Sequence, residues 1–247
     1  MRLLITRNYA GIGDWLMTLA VLKMLNRQRP DVDVHVSFET PREPMPAIVP
    51  EAFAASDVRF STVPPDPPYV QTGHFVYTGR HRTAPWIEDM VEILGLRTGI
   101  RIRYEEGVFP TFVYDAPTER GYVALISQGK GVNRRKEWDG FQALAHILAA
   151  QGVPLVQIGA KNDQPLEAVA DRRLGQPFDI VAKTLAGARC FVGIENGLMV
   201  LAGFLGVPQI TLYCGAGSPD RLRFERQIQA RDRYSPEEIA ELVLSIH

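Results

Sequence analysis

The chain has almost no cysteine, no surplus of charge and no long uninterrupted apolar run, and each shortage removes a class of function. Two cysteines in 247 residues, Cys190 and Cys214, follow no metal-ligand spacing and make no disulfide framework, so a reducing cytoplasm is the expected compartment. Lysine and arginine total 27 against 28 for aspartate and glutamate, a balance that offers no global field to nucleic acid or an anionic membrane. Any basic site must be local. The opening Leu3-Leu4-Ile5 meets Arg7 before it reaches the length of a signal-peptide core, so no export is expected. The uncharged stretch from Gly197 to Gly217 is broken by Pro208, Gln209 and several glycines; it reads as a buried helix followed by a buried strand, with no integral membrane segment. Hydrophobic residues at 46% and charged residues at 22% are ordinary for a folded protein, and the length leaves room for two small domains.

What is present is a succession of βα units. Arg2 to Thr6 is an apolar run; Arg7 to Asp14 reads as a loop; Trp15 to Arg29 carries helical spacing and ends at Pro30. Val32, Val34, Val36 and Phe38 alternate with Asp33, His35 and Ser37 as in a half-buried strand. Such a βαβ unit implies a right-handed crossover and a parallel sheet. From Pro41 to Pro68 proline dominates, which predicts loops with one short strand near Val58 to Val63. His74 to Thr78 reads as a further strand, Arg80-His-Arg82 as a solvated loop or part of an acceptor cleft, and Pro85 to Leu96 as a helix. After the polar linker Asp115 to Gly121 the pattern restarts: strand Tyr122 to Ser127, helix Trp138 to Gln151 closed by Gly152, strand Val153 to Gly159, helix Phe178 to Ala188, strand Cys190 to Ile194, helix Gly197 to Leu205, strand Pro208 to Tyr213. Ser235-Pro-Glu-Glu238 has the composition of a capping box and opens the last helix. The domains are therefore set at 1–116 and 117–247, each a doubly wound α/β unit with ligands expected at the carboxyl ends of its strands.

Three connections carry candidate chemistry. Tyr9-Ala-Gly-Ile-Gly-Asp14 places Gly11, Gly13 and a carboxylate between a strand and a helix start, where backbone can approach a ligand; Asp14 as a plain helix cap is the bland alternative. Neither the third glycine of a dinucleotide fingerprint nor the Gly-Lys-Ser/Thr of a P-loop follows. Lys130, Arg134, Arg135 and Lys136 crowd the loop after Ser127 and suit a phosphate, the alternative being a solvated basic turn. Gly193-Ile-Glu195-Asn196-Gly197 opens an apolar helix whose N–H groups suit a diphosphate, or which Asn196 merely caps. Asp31-Val-Asp33 mimics a metal-binding pair but enters the second strand, at the edge opposite the ligands, and is rejected as a metal site.

Together these segments resemble glycosyltransferase family 9, the heptosyltransferases. Gly11-Ile-Gly-Asp14 with Leu16, Leu19 and Leu22, then Arg29-Pro-Asp-Val-Asp-Val-His-Val36, is similar to the family's opening. Arg135-Lys-Glu-Trp138 and Gly152 to Gly159 resemble its Lys-Arg-Trp segment, and Leu185 to Gly197 with Ala202 to Pro208 its donor-site segment. The resemblance implies a GT-B fold, two Rossmann-like domains facing a cleft, the first on the acceptor side and the second binding the nucleotide sugar. It implies inverting transfer from a nucleotide diphosphate sugar, ADP-heptose-like in the family's manner, to a saccharide or glycoconjugate hydroxyl, without metal or cofactor. By position Asp14 matches the general base and Lys136 the cation on the diphosphate. Glu195, Asn196 and Gly197 stand where the family has Asp, Ser or Thr, and Gly, and Val200 replaces a histidine. The chain is short over residues 40 to 115. Nucleic acid stays open as an acceptor without encouragement from the charge balance, and a cytoplasmic enzyme, peripheral to the inner membrane face, is expected. A nucleotide-sugar epimerase or hydrolase and a non-catalytic binding protein are the alternatives; Asp14 and Lys136 argue against the last.

Overall fold

The computed structural model describes residues 1–6, 11–39, 47–72, 86–115, 121–128, 138–215, 219, 221–231 and 233–246. These divide into two units, Met1–Val113 with Asp220–Arg223, and Tyr114–Pro219 with Phe224–His247. The division departs from a simple cut at residue 116, because the chain returns to the first unit after the second has begun. The predicted linker's residues 116–120 lie outside the described residues, as does the strand expected at His74 to Thr78.

In the first unit β1 (Arg2–Thr6) lies between β2 (Asp33–Ser37) and β3 (Val70–Thr72), all parallel. Leu3 and Ile5 pair with Val34 and Val36 on one side and with Val70 and Thr72 on the other. The helix after β1, α1 (Ile12–Gln28), is buried from Trp15 to Leu22 and again at Met24 and Leu25, so apolar residues surround it where an amphipathic surface helix would show a stripe. Trp15, Phe38 and Phe53 pack ring to ring at 5.2–5.7 Å. Phe53 belongs to α2 (Ile48–Ala55), which the proline-rich reading does not anticipate. Its Pro50 sits in the first turn, where no intrahelical N–H bond is lost. Near the expected strand the chain makes one parallel bridge, Ser61 to His35, with Val36 N–H donating to the Ser61 carbonyl at 2.8 Å. That bridge covers β2, and His35, expected on a solvent face, is buried and held between the Val63 carbonyl at 2.6 Å and Asp33 at 3.2 Å.

The third helix, α3 (Trp86–Thr98), receives the returning segment at its amino end. Trp86 N–H donates to the Arg221 carbonyl at 2.8 Å, and Arg221 Nη2 donates to Asp89 Oδ2 at 2.6 Å. Asp89 is 3% exposed.

The second unit is a six-stranded parallel sheet: β4 (Tyr122–Ile126), β5 (Leu155–Gly159), β6 (Asp171–Leu174), β7 (Ala188–Ile194), β8 (Gln209–Tyr213) and β9 (Gln227–Arg231), in the order β6-β5-β4-β7-β8-β9. Strand order reverses between β4 and β7, the doubly wound Rossmann arrangement. One face packs α4 (Phe141–Ala150) and α7 (Pro236–Ser245) on Val123, Leu125, Val192, Ile194, Ile210 and Leu212. α5 (Phe178–Gly187) and α6 (Gly197–Phe204) complete the unit. The α7 capping box is formed, with Glu238 N–H donating to Ser235 Oγ at 3.2 Å and Ser235 N–H to Glu238 Oε2 at 2.7 Å. Gly152 ends α4 at φ +73°. Among the described residues no helix is long and apolar enough to cross a membrane.

Candidate functional site

The helix that carries Asp14 begins earlier than its apolar spacing indicates. α1 starts at Ile12 with Gly11 as N-cap, so Gly13 and Asp14 lie in its first turn and not in the preceding loop, and Asp14 is not the cap. Helix starts tolerate glycine because the first N–H groups have no intrahelical partner to lose. A Cβ built on Gly11 would lie 3.1 Å from Asp14 Oδ2, so the glycine gives the carboxylate its room. Asp14 is half-buried, at a helix start reached from the carboxyl end of β1, the central strand of its sheet. Residues 7–10 of this connection lie outside the described residues.

In the second unit the connections after β4 and β7 leave the sheet where strand order reverses. Ile126, the last residue of β4, pairs with Gly193 of β7. A Cβ on Gly193 would meet Ile126 Cγ2 at 2.4 Å and the Phe191 ring at 2.7 Å, so only glycine allows this side-by-side closure. Glu195 follows, 3% exposed. Asn196 Oδ1 accepts the N–H groups of Leu198 at 2.9 Å and Met199 at 3.1 Å, so the capping role is real and those two donors are engaged. The cap does not use the N–H of Gly197, which is half-buried. Lys130, Arg134, Arg135 and Lys136 lie outside the described residues, as do Arg80, His81 and Arg82. The basic loop is bracketed by Gln128 and by Trp138, which packs on the core edge-on to Phe141 at 5.2 Å.

A group of glutamines beside this edge escapes sequence reading. Gln157, inside the apolar strand β5, is fully buried; its Nε2 donates to the Gln164 carbonyl at 2.8 Å and its Oε1 accepts Leu166 N–H at 2.9 Å. Gln142 repeats the pattern one residue on, donating to Pro165 O and accepting from Glu167 N, both at 3.0 Å. Gln128 accepts the Gln164 N–H. The available signal was Gln157 itself, an amide in an otherwise apolar run.

Other candidates resolve structurally. Asp31 takes both Arg29 donors, at 2.7 and 2.8 Å, and that pairing holds its carboxyl at about 2, below the usual range. Asp33 turns to His35, so the two carboxylates serve different partners. Cys190 and Cys214 are buried and joined in no disulfide, and burial pushes the Cys190 thiol up to about 12, the condition of an unreactive side chain. Among the described residues no group of three His, Cys, Asp or Glu side chains is placed to hold a metal.

Two parallel α/β units, the second with its strand order reversing between β4 and β7, have the fold of the GT-B glycosyltransferases. The family model for glycosyltransferase family 9 (heptosyltransferase) matches residues 108–235, slightly more than half of the chain, and the chain belongs to that family. Among solved structures it is similar to the Escherichia coli heptosyltransferase WaaC with ADP, at a TM-score of 0.65 and 15% identity over 99% of this chain and 97% of that one. The E. coli ADP-heptose lipopolysaccharide heptosyltransferase II gives 0.67 and 13% over 100% and 98%. The iron-containing dodecameric glycosyltransferase TibC from enterotoxigenic E. coli gives 0.66 and 16% over 92% of this chain and 61% of that one. At these identities the likeness is one of fold. No curated protein sequence matches the chain.

Proposed function

We propose that the protein transfers a sugar, with inversion and without a metal, from a nucleotide diphosphate sugar to a saccharide or glycoconjugate hydroxyl. The observation that carries this reading is Asp14, a carboxylate given room by Gly11 at the helix start after the central strand of the first unit, in a chain of family 9. Asp14 takes the proton of the acceptor hydroxyl as its oxygen attacks the anomeric carbon. The bond from that carbon to the diphosphate breaks on the opposite face, and the nucleoside diphosphate leaves. Its growing charge meets Lys136, with Lys130, Arg134 and Arg135 in the same loop and the N–H of Gly197 at the start of α6. Glu195, two residues before Gly197 and buried at the carboxyl end of β7, shapes the donor side.

An ADP-activated heptose or a close analogue is the first donor to try, since WaaC is recorded with ADP and with an ADP-fluoroheptose. Buried cysteines joined in no disulfide agree with a reducing cytoplasm as the place of work. A thermal-shift screen of nucleotide sugars tests the reading, because a ligand of the folded state raises the unfolding temperature with concentration. No stabilisation by any of them would overturn it. Replacing the principal cation, Lys136→Ala, is expected to weaken nucleoside diphosphate binding by about 1.5–3 kcal/mol, the scale of a charge-assisted hydrogen bond. Unchanged affinity by calorimetry would move the role to Arg134 or Arg135.

Turnover is expected to survive a chelator. The proposed site neutralises the leaving group with lysine, arginine and a helix start, and the Asp31 and Asp33 carboxylates are committed to Arg29 and His35. Loss of activity in EDTA with recovery on adding magnesium, manganese or iron would refute metal independence; the iron of TibC makes the iron arm necessary.

A further inference from the structure

We infer that the chain from Arg221 to Phe224 is a strap that couples α6 of the second unit to α3 of the first, so that a nucleoside diphosphate held at the start of α6 slows the local opening of α3. This rests on the reading that the start of α6 meets the diphosphate of a nucleotide sugar.

The strap is anchored at both ends, and the ends belong to different units: Arg221 to Arg223 go with the first, Phe224 with the second. At the first-unit end the opening turn of α3 holds Arg221. Its carbonyl accepts Trp86 N–H at 2.8 Å, its Nη2 donates to Asp89 Oδ2 at 2.6 Å, and its guanidinium lies 6.0 Å from the centre of the Trp86 ring. Leu222 beside it is buried. Among the described residues Asp89 Oδ1 and Arg221 Nε have no hydrogen-bond partner. A buried ion pair so incompletely satisfied adds little net stability over an apolar pair, and what it supplies is a defined place of docking.

At the second-unit end Phe224 grips α6. Its ring lies edge-on to Phe204 at 6.0 Å and fills the space beside Gly203, where a Cβ would run into it. Phe224 N–H donates to Gln227 Oε1 at 3.2 Å, and Gln227 Nε2 donates in turn to Thr211 Oγ1 of β8 at 2.9 Å and to Met199 Sδ of α6 at 3.6 Å. α6 runs only from Gly197 to Phe204, 8 residues, so a ligand at its start and Phe224 near its end act on the same short helix. An anion on the N–H groups of a helix start stabilises that helix and makes its opening rarer. Between the anchors stand only Leu222 and Arg223, too short a stretch to act as a flexible linker. Order gained at one anchor therefore passes to the other, and such coupling needs a loss of freedom without any change of shape.

Hydrogen exchange of the full chain, resolved by peptide with mass spectrometry, measures the coupling. The probe is whichever of ADP, UDP and GDP the wild type binds by calorimetry. At saturation the amides of α3 are expected to exchange at least about fivefold more slowly, the lower end of usual coupling strengths. Inserting Gly-Ser-Gly between Arg223 and Phe224 keeps the side chains of both anchors and slackens only the chain. A few added loop residues cost little stability, so this variant should fold and bind the nucleotide as wild type does. Its slowing of α3 should fall below about twofold. Arg221→Glu, which sets two carboxylates against each other at the first-unit anchor, should lose the slowing too; the insertion decides the matter if that substitution unfolds the first unit. Slowing retained in the insertion variant, or in a folded Arg221→Glu, would show that it reaches α3 by another route and would overturn the strap. So would an α3 that does not respond in a wild type that binds nucleotide. Either result leaves the glycosyltransferase reading standing. Failure of the wild type to bind any of the three would remove that reading and this inference with it.

Discussion

Asp14→Asn is expected to bind donor as wild type does and to lose turnover by ~100- to 10,000-fold, the usual worth of general-base assistance. Asparagine keeps the size and hydrogen-bonding reach of the side chain, and Gly11 leaves it the same room. What it lacks is a lone pair basic enough to take the acceptor's proton. The loss should therefore fall on kcat, with the dissociation constant for nucleoside diphosphate unchanged by calorimetry. A variant within about threefold of wild type would end the assignment, since so small an effect is far below that of a removed base. Loss of donor binding as well would show that the substitution disturbed more than proton transfer.

The largest expected effect on stability belongs to the returning segment. Arg221→Met is expected to destabilise the first unit by about 3–5 kcal/mol, because it leaves the Asp89 charge buried without its partner. The backbone bond from Trp86 N–H to the Arg221 carbonyl survives, so the variant isolates the guanidinium. The pair meets at one point only: among the described residues Asp89 Oδ1 and Arg221 Nε have no hydrogen-bond partner. A pair so incompletely satisfied returns little of its desolvation cost. Asp89→Leu with Arg221→Met should therefore recover most of the loss. Urea unfolding checks both, and a double variant as unstable as Arg221→Met alone would show that the ion pair itself stabilises the unit.

Much of the fold was legible because each element's residues announce what that element buries. The strands at Arg2–Thr6 and Tyr122–Ile126, and α7 with its capping box, appear within a residue or two of where periodicity and cap chemistry put them. The motifs of the candidate site are legible for the same reason. Each lies on a connection from a parallel strand to a helix, and such connections gather at one edge of a sheet.

Other features belong to neighbours. β6 and β9 are polar runs, Asp171-Arg-Arg-Leu174 and Gln227-Ile-Gln-Ala-Arg231, and form strands because β5 and β8 offer them an unpaired edge. Gln227 Nε2, bonded to Thr211 Oγ1 at 2.9 Å, has its partner on another strand. α2 was hidden by a proline that a first turn accepts, and the burial of His35 by a segment that crosses from 28 residues away.

By itself, then, the sequence determined the βα order and the parallel sheets, and it singled out three strand-to-helix connections as candidates for ligand binding, because local spacing records which face of an element is buried. Only the tertiary structure decided which donors Asn196 consumes, which way the Gln128 amide faces and where residues 221–223 dock. Those outcomes rest on single contacts between residues far apart in the chain, such as Arg221 and Asp89 at a separation of 132. No periodic pattern encodes a contact made once.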